Sequence, residues 1–133
     1  MSMVKLEGVT KTYRKGGSEI RPLDGVDLTV EAGEFVSLMG PSGSGKTTLL
    51  NLVAGIDRPT SGRVHVDGDE VSALSESRLA SWRTRSIGYV FQLYNLIPVL
   101  TAAENVELPL LLLPLSRSQR KKHVETALAA VDL

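Results

Sequence analysis

Eight consecutive residues have the types and spacing needed to bind a phosphate group. They match the pattern G-x-x-x-x-G-K-[ST] at every fixed position, and they are Gly40, Pro41, Ser42, Gly43, Ser44, Gly45, Lys46 and Thr47. The glycines carry no side chain, so backbone N–H groups can converge on crowded phosphate oxygens. The stretch therefore predicts a loop that binds a triphosphate.

The last residues of this loop have side chains suited to the charged part of a nucleoside triphosphate. We expect Lys46 to reach the β- and γ-phosphates, and the Thr47 hydroxyl to be a Mg²⁺ ligand together with phosphate oxygens. Thr48 follows as a second hydroxyl donor for the phosphates. The alternative is a Gly/Ser-rich connector that matches the pattern by chance.

A phosphate-binding loop of this kind must follow a strand and begin a helix. Residues 34–39 form a mostly apolar run, which predicts a buried parallel strand. Behind the loop, apolar residues recur at helical spacing up to Gly55, which is placed to end the helix; they are Leu49, Leu50, Leu52 and Val53. Both flanks favour the functional interpretation over a chance match.

The composition indicates one globular unit without a net charge that would attract nucleic acid. The chain has 133 residues with 42% hydrophobic content, and 15 basic and 15 acidic side chains cancel. It has no cysteine, which excludes a disulfide scaffold and a thiolate metal site. The amino terminus lacks the apolar core of a signal peptide, and the most apolar run, 108–115, is interrupted by two prolines. We therefore expect any membrane association to go through a partner.

Alternating apolar residues predict an antiparallel start to the chain. The two alternating series, separated by a turn at 14–18, are Val4, Leu6 and Val9, and then Val26, Leu28 and Val30. A third short strand is expected at 63–68. His65 lies on its polar face, and we expect a surface residue there, because no second His or Cys stands at ligand spacing.

The second half of the chain has a mainly helical pattern. A short surface helix is expected over Glu76–Arg85, followed by an apolar strand at 87–91 with Gln92 at its carboxyl end. Capping-box patterns start further helices at Thr101, ending near Pro109, and at Ser116. We expect the basic residues early in the last helix to be solvated and Leu128–Asp132 to be its end.

Three landmarks in their order along the chain resemble the ATP-binding-cassette ATPases. Tyr13 stands where that family has an aromatic residue that stacks on adenine, 40–48 is its phosphate loop, and Gln92 falls at its glutamine-loop position. The segments 88–92 and 95–109 are most similar to the ATPases of lipoprotein-release and macrolide-export systems, a branch that includes a cell-division ATPase. In isolation, Tyr13 would be interpreted as a surface aromatic residue and Gln92 as a polar residue at a strand end.

The resemblance implies an α/β fold of the P-loop NTPase type. It would comprise an antiparallel β subdomain, the phosphate-loop strand and helix, and the start of a helical subdomain. Residues 1–133 would be part of one nucleotide-binding domain, with 1–92 in the β and core portion and 93–133 in the helical portion. ATP and Mg²⁺ are the implied cofactors, with Lys46 and Gln92 as catalytic residues and Thr47 and Gln92 as metal ligands.

The implied partners are a membrane permease, contacted through the region after Gln92, and a second ATPase subunit. They would place the protein at the cytoplasmic face of a membrane. Two alternatives stay open: a soluble family member acting in DNA repair or translation, and a nucleotide-binding or regulatory module without turnover.

The chain also departs from the family pattern. Past Gln92 there is no LSGGQ-type signature, no apolar strand ending in Asp-Glu and no switch histidine, so the chain is expected to be the amino-terminal part of a longer protein. The strands that separate 34–39 from 87–91 in the family would come from later sequence. We therefore expect residues 1–133 to self-associate or to pack unlike the family, and to hydrolyse ATP no faster than background.

Overall fold

The structure is a computed structural model that describes residues 2–133, in two compact units that divide after Tyr89. The first unit holds the strands β1 (Ser2–Lys15), β2 (Ser18–Glu31), β3 (Ser61–Val66) and β4 (Asp69–Glu70), and the helices α1 (Lys46–Val53) and α2 (Glu76–Ser86). A 3₁₀ turn at Val71–Ala73 precedes α2. The second unit holds α3 (Ala102–Glu107), a 3₁₀ turn at Leu108–Leu112, and α4 (Arg117–Ala129).

The four strands form one antiparallel sheet in the order β2-β1-β3-β4. β1 and β2 form a hairpin in which Lys15 pairs with Ser18, and Leu6 pairs with Leu28 further along. β3 pairs with the other edge of β1. The predicted antiparallel start, the turn at 14–18 and the third strand are thus confirmed.

One hydrophobic core joins the sheet to α1 and α2. Its buried side chains are Leu6, Val9, Leu23, Leu49, Leu52, Val64, Val66, Val71, Leu79 and Trp82. Leu79 and Trp82 are the two buried residues of α2, as their three-residue spacing predicted. At the end of α1, the N–H of Gly55 donates to Leu52 O at 3.1 Å and the N–H of Ile56 donates to Asn51 O at 2.9 Å. These bonds close the helix at the predicted glycine.

The predicted strand at 34–39 is wrong for this structure. The segment follows the turn after β2, but it joins no sheet within residues 2–133. Phe35 is 98% exposed and Met39 is 89% exposed, and only Leu38 of this segment packs partly against the core. The physical reason is that a strand exists only through hydrogen bonds to a neighbour, and none of the described strands lies beside this segment.

The predicted strand at 87–91 is also wrong, for the same reason. The backbone after α2 joins no ladder in the part of the chain that the structure describes. Val90 is 96% exposed. Gln92, expected at a strand end, lies instead in an exposed bend.

The second unit confirms the helices predicted from the two capping boxes. The Glu104 N–H donates to Thr101 Oγ1 while the Glu104 carboxylate accepts from the Thr101 N–H, and Ser116 and Gln119 do the same at the start of α4. α4 ends at Ala129, so 128–132 is a helix end, as expected. No helix within residues 2–133 is long and apolar enough to cross a membrane.

Candidate nucleotide-binding site

The phosphate-loop residues form a tight turn that leads into α1. The Ser44 N–H donates to Pro41 O at 3.3 Å, and the Leu49 N–H donates to Gly45 O at 2.8 Å as the helix begins. No side chain caps this helix end. The first-turn N–H groups of a helix have no partner within the helix, so this uncapped end can donate to an anion. The predicted helix behind the loop is confirmed.

Gly45 is the position of the loop where a side chain is excluded. Its φ is +90°, and a Cβ placed on it would lie 2.5 Å from Pro22 O and 3.1 Å from Leu23 Cδ2. The Pro22 contact is with backbone at the middle of β2, which cannot give way as a flexible side chain can. The last glycine of the motif therefore lets the loop turn against the sheet and start α1.

Lys46 folds back over the loop. Its Nζ donates to Gly40 O at 2.7 Å, to Pro41 O at 2.7 Å and to Ser44 Oγ at 3.3 Å. The ammonium group is therefore held at the loop by neutral acceptors. Charged phosphate oxygens are stronger acceptors for an ammonium, so an incoming phosphate can replace these carbonyls.

Tyr13, near the end of β1, is held at its hydroxyl. The Tyr13 hydroxyl donates to Asp57 Oδ2 at 2.8 Å, and the Lys11 Nζ donates to Asp57 Oδ1 at 2.7 Å. The same ammonium lies over the Tyr13 ring, 4.9 Å from its centroid. The structure thus connects the predicted adenine-stacking residue to the segment that follows α1.

Burial and hydrogen bonds around Tyr13 together raise the pKa of its phenol and lower the pKa of the Asp57 carboxyl. Burial raises the pKa of the Tyr13 phenol, the hydrogen bond to Asp57 adds to the rise, and the hydrogen bond from Thr48 opposes it. Burial alone would raise the pKa of Asp57, but the hydrogen bonds from Lys11, Tyr13 and the Arg58 N–H outweigh it and lower that pKa. Asp57 is therefore an anion and Tyr13 a neutral phenol at neutral pH.

Sequence reasoning missed Lys11 and Asp57. Lys11 is one of several lysines on an alternating strand, and Asp57 lies in a segment dense in turn residues. Neither matches a motif, and 46 residues separate them, so no local pattern pairs them. Gln92, in contrast, was predicted, but it belongs to the second unit and its role beside the loop stays a prediction.

The residues present fit a metal bound through the nucleotide better than a metal site built by the protein. Within residues 2–133, no group of three or more His, Asp or Glu side chains could hold an ion. The Thr47 hydroxyl is exposed at the start of α1. One hydroxyl together with phosphate oxygens and water is a donor set that Mg²⁺ accepts.

A family model described as ABC transporter matches residues 23–133, which is most of the chain and includes the phosphate loop. The chain belongs to the ABC transporter family. An ABC transporter ATP-binding protein of Bacillus subtilis, described as uncharacterised, is 44% identical over 98% of this chain and 57% of its own length. The lipoprotein-releasing system ATP-binding protein LolD of Chromohalobacter salexigens is 43% identical over 98% of this chain and 55% of its own.

Other relatives and solved structures agree with this membership. The macrolide export ATP-binding/permease protein MacB of Hyphomonas neptunium is 45% identical over 98% of this chain and 20% of its own length. A dimeric structure of the ATP-binding cassette MJ0796, in a post-hydrolysis state bound to ADP and Pi, has a TM-score of 0.91 at 47% identity, over 98% of this chain and 58% of that one. The α/β fold of the P-loop ATPases and the resemblance to the lipoprotein-release and macrolide-export proteins are thus confirmed. The TM-score also contradicts packing unlike the family.

The ABC transporter chain spans only part of the relatives that it matches. It covers 57% of the Bacillus subtilis protein and 58% of the MJ0796 chain. These residues alone therefore do not establish the activity, the substrates or the partners of a complete cassette.

Proposed function

We propose that this chain binds ATP through the 40–48 loop, with Tyr13 stacking on the adenine and Mg²⁺ held through Thr47 and the phosphates. The observation that carries the proposal is the loop itself. The start of α1 has no side-chain cap, and at the same turn the Lys46 ammonium is held only by neutral oxygens. Bound Mg²⁺ would neutralise charge on the β- and γ-phosphates.

In a complete cassette, we propose that ATP binding and hydrolysis drive a transporter of the lipoprotein-release or macrolide-export type. Two such cassettes would act as a dimer on the cytoplasmic face of a membrane, and the region after Gln92 would contact the permease. The names of LolD and MacB, and the dimeric MJ0796 structure, support this assignment. Gln92 would link the nucleotide to the permease and complete the metal site.

A nucleotide-binding module without turnover is the second candidate function for these 133 residues. Its basis is that the phosphate loop can bind a nucleotide by itself, whereas hydrolysis also requires a group that orients and deprotonates the attacking water. Steady ATP hydrolysis that is lost in Lys46→Ala would exclude it. Phosphate release at the buffer rate, in a protein that binds ATP, would support it.

The phosphate-loop assignment is tested by titrating the protein with Mg-ATP in a calorimeter. Lys46→Ala should weaken binding tenfold or more, about 1.4 kcal/mol or above, because it removes the only mobile charge in the loop. Lys122→Ala on the exposed face of α4 is the matched control and should bind as the parent does. Equal affinities for the parent and Lys46→Ala would overturn the assignment.

Base recognition is tested by comparing ATP with GTP. We expect similar affinities for the two, because stacking on Tyr13 does not distinguish the edges of the purines. Tyr13→Ala should weaken both nucleotides to a similar degree. A Tyr13→Ala protein that binds ATP as tightly as the parent would show that Tyr13 is only a surface aromatic.

A further inference from the structure

The carboxylate of Asp57 is in contact with both groups that determine the orientation of the Tyr13 ring. It accepts the Tyr13 hydroxyl on one oxygen and the Lys11 ammonium on the other, at 2.8 and 2.7 Å. We propose that Asp57 is a positioning residue for base stacking: it fixes Tyr13 before the nucleotide arrives. The inference rests on the proposed function, because it assumes that a purine stacks on Tyr13.

Asp57 is itself held firmly enough to fix another side chain. The Arg58 N–H donates to Asp57 Oδ1 at 2.7 Å, and Lys11 Nζ also donates to Arg58 O at 2.7 Å. The Lys11 side chain is 12% exposed and that of Asp57 is 31% exposed, so solvent screens this ion pair less than a surface pair. The carboxylate is therefore anchored to the backbone after α1 and to β1 together.

Lys11 determines which face of the Tyr13 ring a base can use. Its ammonium lies over the ring, 4.9 Å from the centroid, and so covers one face. A base can stack only on the opposite face. Because Asp57 holds both the ammonium and the phenol, it determines the tilt of the ring and which face the ammonium covers.

Fixing the ring in advance strengthens binding without any contact between Asp57 and the nucleotide. Tyr13 is 39% exposed, so without a hydrogen bond at its hydroxyl the side chain could change rotamer. A base that stacks on a mobile ring must also immobilise it, which weakens affinity. We expect a threefold to tenfold loss of ATP affinity when the Asp57 carboxylate is removed. The affinity for the phosphates alone should not change.

The alternative is that Asp57 only ties β1 to the loop after α1. The Thr60 hydroxyl accepts from the Thr12 N–H at 2.9 Å, and the Thr60 N–H donates to Thr10 O at 2.8 Å in the same region. A purely structural Asp57 would affect all ligands of the site alike. A positioning Asp57 would affect only ligands that carry a base.

The test compares ATP with inorganic tripolyphosphate, which shares the phosphates but has no base. Dissociation constants for both are measured by calorimetry on the parent, Asp57→Ala, Asp57→Asn and Tyr13→Phe. Asp57→Ala should weaken ATP threefold to tenfold and leave tripolyphosphate within twofold. Tyr13→Phe keeps the ring but loses the held hydroxyl, so it should weaken ATP two- to fivefold and also leave tripolyphosphate unchanged.

A double-mutant cycle separates positioning from stability. In a Tyr13→Ala background, adding Asp57→Ala should produce no further loss of ATP affinity, because no ring is left to position. Asp24→Ala, an exposed acidic residue of β2, is the matched control and should bind both ligands as the parent does. Asp57→Asn keeps an acceptor for the phenol, so it should recover part of the ATP affinity that is lost in Asp57→Ala. It also provides the measurement if Asp57→Ala does not fold.

Three results would overturn the inference. They are equal losses for ATP and tripolyphosphate, unchanged ATP affinity in both Asp57 variants, and full additivity in the Tyr13→Ala background. Failure of the proposed function gives a different pattern, in which Lys46→Ala changes neither ATP nor tripolyphosphate binding. If Lys46→Ala abolishes both while the Asp57 variants match the parent, only the positioning role is lost.

Discussion

Two segments of the first unit, each with a sequence pattern typical of a strand, differ in a way that this pattern does not explain. β3 and the segment 34–39 are both six residues long and apolar at alternate or successive positions. Val64 of β3 is 0% exposed, whereas Phe35 is 98% exposed. β3 has β1 beside it, and 34–39 has no neighbouring strand among the described residues.

The comparison shows that a strand is a property of a pair of segments. β1 presents hydrogen-bonding groups on both edges, so β2 and β3 each find a partner. The segment 34–39 has the composition of a strand without such a partner. Its apolar side chains are exposed to water except that of Leu38, which packs partly against the core.

Truncating a core aromatic should destabilise the protein far more than truncating an aromatic of the unpaired segment. Trp82→Ala removes a side chain that is 1% exposed and should lower the free energy of unfolding by about 3–5 kcal/mol. Phe35→Ala is the matched control and should change it by less than about 0.5 kcal/mol. Urea unfolding followed by far-UV circular dichroism measures both. A large loss in Phe35→Ala would show that 34–39 is packed in solution.

Gly45→Ala should damage both the fold and the site. The added Cβ meets Pro22 O at 2.5 Å in a backbone with φ +90°, so we expect a loss of about 1–3 kcal/mol in unfolding free energy and weaker ATP binding. Gly88→Ala is the control, because its Cβ meets nothing within 4 Å and its φ is not left-handed. Thermal melts and calorimetry of the pair provide the measurement. Normal binding by Gly45→Ala would argue against the loop conformation described.

The unpaired segment should make the chain associate with itself. Exposed apolar side chains and free backbone edges recruit another chain, so multi-angle light scattering should give a mass above that of one chain. Phe35→Lys with Met39→Lys should weaken the association tenfold or more, since it places two charges on the segment. Val131→Lys, at an exposed site after α4, should leave it unchanged. A monodisperse monomer for the parent would contradict the prediction.

Acid should remove the small contribution that the Asp57 carboxylate makes to the free energy of unfolding. The pKa of Asp57 is lowered in the folded state, so its contribution is present above the unfolded pKa, near 3.8, and is lost as the pH falls through the folded value. Thermal melts of the parent and Asp57→Asn between pH 6 and 3 should therefore converge at low pH. A constant difference between the two curves would mean that Asp57 contributes no charge-dependent stability.

Local patterns predicted most of the fold and selected the loop that we propose binds phosphate. The alternation in β1, β2 and β3, the capping boxes of α3 and α4 and the glycine after α1 each specify structure within a few residues. The sequence misled at 34–39 and 87–91, because strand composition says nothing about a partner. It also missed Lys11 and Asp57, whose contact depends on how β1 meets the loop after α1.

Tyr13 and Asp57 are 44 residues apart in the sequence, so the parts of the site form at different times during synthesis. The β1–β2 hairpin closes through a two-residue turn, so Tyr13 acquires its strand early and at low loop-closure entropy. Its hydroxyl gains a partner only after the phosphate loop and α1 have been synthesised and have returned to the sheet. On the ribosome, the phosphate loop is therefore made before the proposed stacking surface is complete. We expect nascent chains that end before Asp57 to bind a purine weakly even when the hairpin has formed.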